Sequence, residues 1–313
     1  MQSIVWDGQK VTKPGMYSKM PLADYHRGDI CDGPSVSSSG LRTLWSKSPK
    51  HFWDKSPLNP NRVVDDDEDE KKALILGRAT HHLMVEQVGF AAEFIQRPDA
   101  APDGRVWNGN NKTCIDWFAQ QRRDGKTVLT PEMVTAIRGM AVSLGQHPMM
   151  QQGILNGLIE RSLFWRDPET GVWLKSRPDN IPSNSGDYSD LKTARSVLYR
   201  DTQRAIHDRG YHQQGALVLE GAGALGFEVN SFSLIWVETS SPYCVRVQTL
   251  RDEDLSRGGK MNRVALRTFH QCFTDKHWPG PGDDYADAEF IDLSDYARKS
   301  IDDRLAYQLR EAA

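Results

Sequence analysis

Near residue 158 the chain stops reading as helices and begins to read as strands, and one stretch of that second half narrows the fold sharply. Residues 158–165 and 172–181 are strand-like runs joined by Asp167-Pro168-Glu169-Thr170-Gly171, a cluster of the residue types that turns favour. A third run leads from Gly186 to Lys192. Within it Asp190 and Lys192 stand two apart, so on a strand they leave one face while Leu191 points to the core. Asp179 ends the preceding run and can close on the same spot. The stretch 177–192 is therefore expected to be hairpin-like, with two carboxylates and an amine gathered at one place.

The rest of the chain supplies layers for such a sheet. Residues 1–34 are rich in Pro, Gly and Asp and predict an irregular arm with a short strand or two. Ser37-Ser38-Ser39-Gly40 caps a helix that Ser48-Pro49 interrupts, and a second short helix starts at Pro49. The pattern over 71–86 is apolar almost all round, which predicts a helix sunk in the core. On it Gly77 and His81 share a face. A mid-helix glycine costs about 1 kcal/mol relative to alanine, so its place here predicts the close approach of a neighbour. Residues 111–124, 130–146 and 147–156 read as further helices, the second opened by Thr130-Pro131-Glu132. A helical stretch over 197–224, broken near Gly210, carries Tyr211 and Gln214 one turn apart. Strands over 231–238 and 243–250 and a helix over 252–273 follow. The expected class is α/β (α+β), a mixed sheet flanked by helices with a mainly helical front half.

Composition sets the outer bounds. With 313 residues, 38% apolar and 26% charged, the chain can bury one large core. One domain over 1–313 is expected, with an arm and helices to 70, a core over 71–275 and a polar tail over 276–313 wrapping the surface. The net charge of −3 gives no global pull toward nucleic acid, so DNA contact needs local basic patches. Arg122, Arg123 and Lys126, or Arg195, Arg200 and Arg204, are the candidates. The acidic run 65–70 repels itself and reads as an exposed loop. Cys31, Cys114, Cys244 and Cys272 lie far apart with no C-x-x-C pair, which argues against a zinc knuckle or an iron–sulfur cluster. No run approaches the roughly 18 apolar residues of a membrane span, and the start lacks the pattern of a secretion signal. An intracellular protein is expected.

The carboxylate and lysine set has a definite chemistry. Hydrolysing a phosphodiester needs a hydroxide at neutral pH and neutralisation of charge building on the phosphate, and cations held by carboxylates provide both. Asp179 and Asp190 are the candidate ligands, with the Leu191 carbonyl as a further oxygen. Lys192 is placed to hold or deprotonate water and to stabilise developing negative charge.

Pro178-Asp179 with Asp190-Leu191-Lys192, Gly77 with His81 upstream, and Tyr211-His212-Gln213-Gln214 downstream resemble the PD-(D/E)xK nuclease superfamily, and within it the RecE-type exonucleases (exodeoxyribonuclease VIII) of phages and prophages. Pro14-Gly15-Met16-Tyr17, Ser48-Pro49-Lys50-His51-Phe52 and Trp278-Pro279-Gly280 are similar to that group as well. The resemblance implies a restriction-endonuclease-like core. It implies a Mg²⁺-dependent exonuclease, with Mn²⁺ as a substitute, that degrades linear duplex DNA 5′→3′ and exposes a 3′ single-stranded tail for recombination. It further implies a ring-shaped homo-oligomer, a tetramer, working beside a single-strand annealing protein in the cytoplasm of a bacterial host. By the same resemblance His81, with His82 as its alternative, is a metal ligand or active-site partner. Asp179, Asp190 and Lys192 are catalytic, Glu160 is an acidic partner on the first strand, and Tyr211 and Gln214 touch DNA or orient the site. A catalytically weak DNA-end-binding or partner-binding module, or a nuclease of other polarity, is the alternative.

Overall fold

Turn chemistry acts at 167–171 as expected. The Asp167 carboxylate accepts from the Thr170 amide and hydroxyl, both at 2.8 Å, and Gly171 takes a φ of +70° that a side chain would resist. The hairpin this closes sets Leu163 opposite Ser176 and Arg166 opposite Trp173. The computed structural model describes residues 3–63, 72–86, 89–159, 161–183 and 185–311. The acidic run 65–70 and Glu160 lie outside the described residues. The chain divides into two compact units, 1–278 and 279–313.

In chain order the first unit holds β1 (Ile4–Val5), β2 (Gly15–Ser18), α1 (Leu22–Tyr25), β3 (Ser35–Ser37), α2 (Ser38–Ser46), α3 (Pro49–Lys55), α4 (Lys72–His81), α5 (Phe90–Glu93) and β4 (Phe94–Gln96). It continues with α6 (Lys112–Arg123), β5 (Thr127–Leu129), α7 (Pro131–Gln146), α8 (Pro148–Gln151), β6 (Gly157–Ile159), β7 (Ser162–Arg166), β8 (Trp173–Ser176), β9 (Asn180–Pro182) and β10 (Asp187–Ala194). It closes with α9 (Tyr199–Asp208), α10 (Tyr211–Ala224), β11 (Ser231–Glu238), β12 (Val245–Thr249) and α11 (Asp252–Asp275). The second unit holds α12 (Asp295–Glu311).

The architecture is mixed α/β, with mixed sheets flanked by helices. A five-stranded sheet runs β1-β2-β7-β8-β3 and a three-stranded one β10-β11-β12, both combining parallel with antiparallel pairs, and β4-β5 and β6-β9 form two-stranded ladders. Strand β11 is buried on both faces and reads as a nearly continuous apolar run, as a covered strand should. Its Phe232, Leu234 and Trp236 enter one core with Trp165, Leu217 and Phe269. Ile235 and Val237 enter another with Leu191, Ile137 and Met140. The Trp278-Pro279-Gly280 signature ends the first unit structurally, because Trp278 stacks on Trp53 with ring centres 4.6 Å apart and also meets Phe52 and Phe269.

Several expected elements differ. The run 172–181 is split into β8 and β9 around Pro178, which has no amide to give a ladder. The run 158–165 is likewise two strands, because β6 pairs with β9 while β7 pairs with β2 and β8. Only Pro148–Gln151 of 147–156 is helical. The helix at 71–86 is not sunk all round: Leu74 is 61% exposed, and after His81 it widens into a π-helical turn over His82–Glu86. Among the described residues no helix is long and apolar enough to cross a membrane.

One buried charge in β8 carries a pH signature. The Lys175 ammonium donates to the Tyr25 carbonyl at 2.8 Å and the Arg27 carbonyl at 3.3 Å, and burial pulls its pKa down from 10.5 to about 8. Between those values the unfolded chain holds a proton that the folded chain has lost, so stability rises with pH across that window. Burial pushes the Cys31 thiol up from 9.0 to about 12, which lowers stability as pH rises above 9. The wild type is therefore expected to melt higher at about pH 9 than at about pH 8, by a margin that Lys175→Met lacks. Thermal melts of both proteins across that range check it.

Candidate active site

Strand β10 is the platform. It runs parallel to β11 with Asp190 beside Leu234, Leu191 beside Ile235 and Lys192 beside Trp236, so the alternation turns Asp190 and Lys192 away from the core that Leu191 enters. Asp179 sits in the bend between β8 and β9. The bend is held in place by Asn180, fully buried, whose amide oxygen accepts from Ser189 of β10 at 3.1 Å and whose amine donates to the Asn156 carbonyl at 3.3 Å. Asp179 then reaches across to β10, where its Oδ2 accepts the Leu191 amide at 2.7 Å. A strand residue directs its N–H and C=O to the same edge. The Leu191 carbonyl therefore faces the side on which Asp179 lies.

Two helices complete the site. From α4, His81 brings Nε2 to 2.8 Å from Asp179 Oδ1. Its neighbour His82 turns the other way, 5% exposed beside Phe90 and Phe94, which decides between the two histidines as neighbours of Asp179. Gly77, one turn before His81, lets α4 approach β10, since a Cβ there would stand 3.1 Å from the Thr193 hydroxyl oxygen. The expected close approach is thus to a side chain on β10. From α10, Gln214 donates to Asp190 Oδ1 at 2.6 Å, and the Tyr211 ring lies under the Lys192 ammonium, 4.9 Å from it. Gly210, with φ +63°, makes the left-handed step that separates α9 from α10 and aims Tyr211 inward. Lys192 Nζ pairs with Asp190 Oδ2.

The carboxylates crowd one another beside Lys192 and His81. Burial, and next the charge of Asp179, hold the Asp190 carboxyl above the usual carboxylate range against the pull of Lys192. Burial raises Asp179 too, but His81, their hydrogen bond, Lys192 and the Leu191 amide outweigh it and leave the pKa lowered. Burial opposes the Lys192 ammonium, yet Asp190 and Asp179 win and keep its pKa raised. Two crowded carboxylates plus an available carbonyl form an oxygen set that suits a hard divalent ion such as magnesium. No three His, Cys, Asp or Glu side chains among the described residues form a ready-made metal cluster, so the fit rests on the two carboxylates with the Leu191 carbonyl, and His81 stands against Asp179.

The site opens into a cavity of about 1210 Å³, lined by His81, Leu191, Lys192 and Tyr211. Of the six cations proposed for phosphate contact, only Arg195 lines it; Lys72, Arg78 and Arg209 line it as well. Trp236 was not anticipated as a site residue. It meets Tyr211 at a steep angle with ring centres 5.6 Å apart, and its indole N–H is buried without a hydrogen-bond partner among the described residues. Its only signal in the sequence was its place in a strand.

A family model described as a PDDEXK-like domain of unknown function (DUF3799) matches residues 37–288. The chain belongs to this PDDEXK-like family. A comparison with curated protein sequences finds no match. Among solved structures, the PDDEXK-like chain is similar to a candidate exonuclease of Eubacterium rectale, at 12% identity and a TM-score of 0.55 over 87% of this chain and 92% of that one. At that identity the likeness establishes the shared fold. An alkaline exonuclease of Laribacter hongkongensis matches more loosely, at 11% identity and a TM-score of 0.27 over 53% of this chain and 86% of that one. The PDDEXK-like nuclease fold expected from the motifs is therefore the fold of this chain.

Proposed function

We propose that this PDDEXK-like chain is a divalent-metal-dependent exonuclease of linear duplex DNA. The observation that carries the reading is the Asp190–Lys192 pair on β10 with Asp179 tied to the amide between them. Asp179 and Asp190 are the carboxylate ligands, and the Leu191 carbonyl is a third oxygen. Bound Mg²⁺, or Mn²⁺ in its place, supplies Lewis acidity and a hydroxide at neutral pH. Lys192 holds the attacking water by hydrogen bonding and stabilises the negative charge that grows on the phosphate. His81 fixes the rotamer of Asp179 or joins it as a ligand, Gln214 fixes Asp190, and Tyr211 supports the lysine from below. Glu160, outside the described residues, is retained as an acidic partner.

The chain's acidity is unevenly spread. Residues 279–313 contain nine Asp and Glu against four Lys and Arg. Residues 1–278 are therefore net positive although the whole chain carries −3, which removes the objection that an acidic body could not hold DNA. The finer reading is RecE-like: 5′→3′ degradation leaving a 3′ tail, in a ring-shaped tetramer beside a single-strand annealing protein, in the cytoplasm of a phage-bearing host.

Purified protein incubated with 5′-labelled and 3′-labelled linear duplex separates the readings. In Mg²⁺ the 5′ label is expected to be released first, and chelation with EDTA is expected to stop release. Release from the 3′ end would keep the nuclease and overturn the polarity. Tight binding to duplex ends with no release in Mg²⁺ or Mn²⁺ would favour the end-binding module instead.

A further inference from the structure

The geometry points to a second nucleic-acid site on the loop between β4 and α6, where the Arg97–Trp107 pair stacks an unpaired base of a single strand that runs from the catalytic cavity. The inference rests on the nuclease reading for the source of that strand, and on its own residues for the binding. The loop 97–111 is long for a compact unit and is folded on itself by the Ala100–Val106 bridge, and loops of this length commonly serve a function. It forms one wall of a cavity of about 780 Å³ lined by Arg97, Arg105, Trp107, Asn108, Asn111 and Phe118. Thr130, which caps α7, lines this cavity and the catalytic one alike. The two spaces therefore adjoin.

The chemistry of the lining is that of a single-strand platform, which combines aromatic faces with cations that follow the backbone. Trp107 is half-buried and held by Trp117 and Phe118 of α6, which meet it nearly at right angles with ring centres 5.4 and 5.6 Å away. The Arg97 guanidinium lies over the Trp107 ring, 5.3 Å from its centre. The same guanidinium lines the cavity, where a base edge or phosphate oxygen entering the mouth can accept a hydrogen bond from it. Arg105, exposed and loosely paired with Asp103 at 3.8 Å, extends the positive charge along the rim. Beside it Val106 is 87% exposed. Packing alone accounts for the contacts of Trp107 with Trp117 and Phe118, but not for a cationic, asparagine-lined mouth that adjoins the cleft. A duplex offers no unstacked base to such a platform, whereas a single strand does.

Fluorescence anisotropy of a labelled oligothymidylate, measured on the full chain in EDTA so that nothing is cut, tests the site. Trp107→Ala is expected to weaken binding about tenfold or more, the loss typical of one stacked base. Trp107→Phe, which keeps a ring, is expected to retain most of it. Arg97→Gln with Arg105→Gln is expected to weaken binding too and to flatten its salt dependence, and it serves should Trp107→Ala fail to fold by circular dichroism. Oligothymidylate binding equal to wild type in both the Trp107→Ala and the double-arginine variants would overturn the site while leaving any hydrolysis of duplex in Mg²⁺ untouched. Conversely, Trp107-dependent binding in a protein that cuts nothing would uphold the site and remove the nuclease reading.

Discussion

Lys192→Ala is expected to leave a folded protein that still binds duplex ends but releases nucleotides about a hundred to ten thousand times more slowly, the range for loss of one positioned acid–base or charge-stabilising group. The reason is geometric. Lys192 Nζ is paired with Asp190 and seated over Tyr211, which fixes its ammonium beside the carboxylates. Removing it also leaves Asp190 beside Asp179 without the ammonium that pairs with it, which should sharpen the demand for divalent metal. Rates of label release at saturating Mg²⁺, compared with end binding in EDTA, separate a chemical loss from a binding loss. Activity within a few-fold of wild type would remove Lys192 from the mechanism.

The second large effect concerns stability. Phe269 of α11 is fully buried and joins Phe52, Phe273 and Trp278 with ring centres 5.6, 5.9 and 5.8 Å away. Phe269→Ala removes the shared member of that cluster and leaves a cavity between α3, α11 and the end of the first unit, at an expected loss of about 3–5 kcal/mol. Urea unfolding followed by tryptophan fluorescence reads it as a lower midpoint. Activity per folded molecule should survive at low temperature, because none of these rings touches the β10 carboxylates. A loss below about 1 kcal/mol would mean that the cavity collapses around the remaining rings.

Local chemistry was legible where it depended on spacing. The two-residue step from Asp190 to Lys192 allowed one geometry on a strand, and the break near Gly210 followed from what glycine alone permits. What spacing could not give was partnership. The run 158–165 looks like one strand because each residue suits a sheet, yet its two halves join different sheets, and nothing in a period of two names a partner. The tie from Asp179 to the Leu191 amide was equally hidden, since it depends on where a bend after Pro178 carries the chain. Polarity hid an element at the other end. The tail read only as polar chain, although residues 296–311 hold neither Gly nor Pro and carry Ala, Leu and Arg, good helix formers, and α12 forms there. The cavity's cations were only partly legible. Arg195 lines it as a candidate should, while Arg78 and Arg209, isolated in sequence, are brought to it by the fold.

The bond from Asp179 to the Leu191 amide has a consequence for solubility. Strand β10 is an edge of its sheet, and an edge leaves amides and carbonyls ready to accept a strand from another molecule. With the Asp179 carboxylate on the Leu191 N–H, that rung is filled by a charged side chain and a foreign strand cannot add there. The residue proposed to hold the metal thus also guards against aggregation. Asp179→Ala would open the edge as well as disarm the site, and a precipitate from it would say nothing about hydrolysis. Asp179→Asn, which can keep an oxygen on the Leu191 amide, separates the two roles.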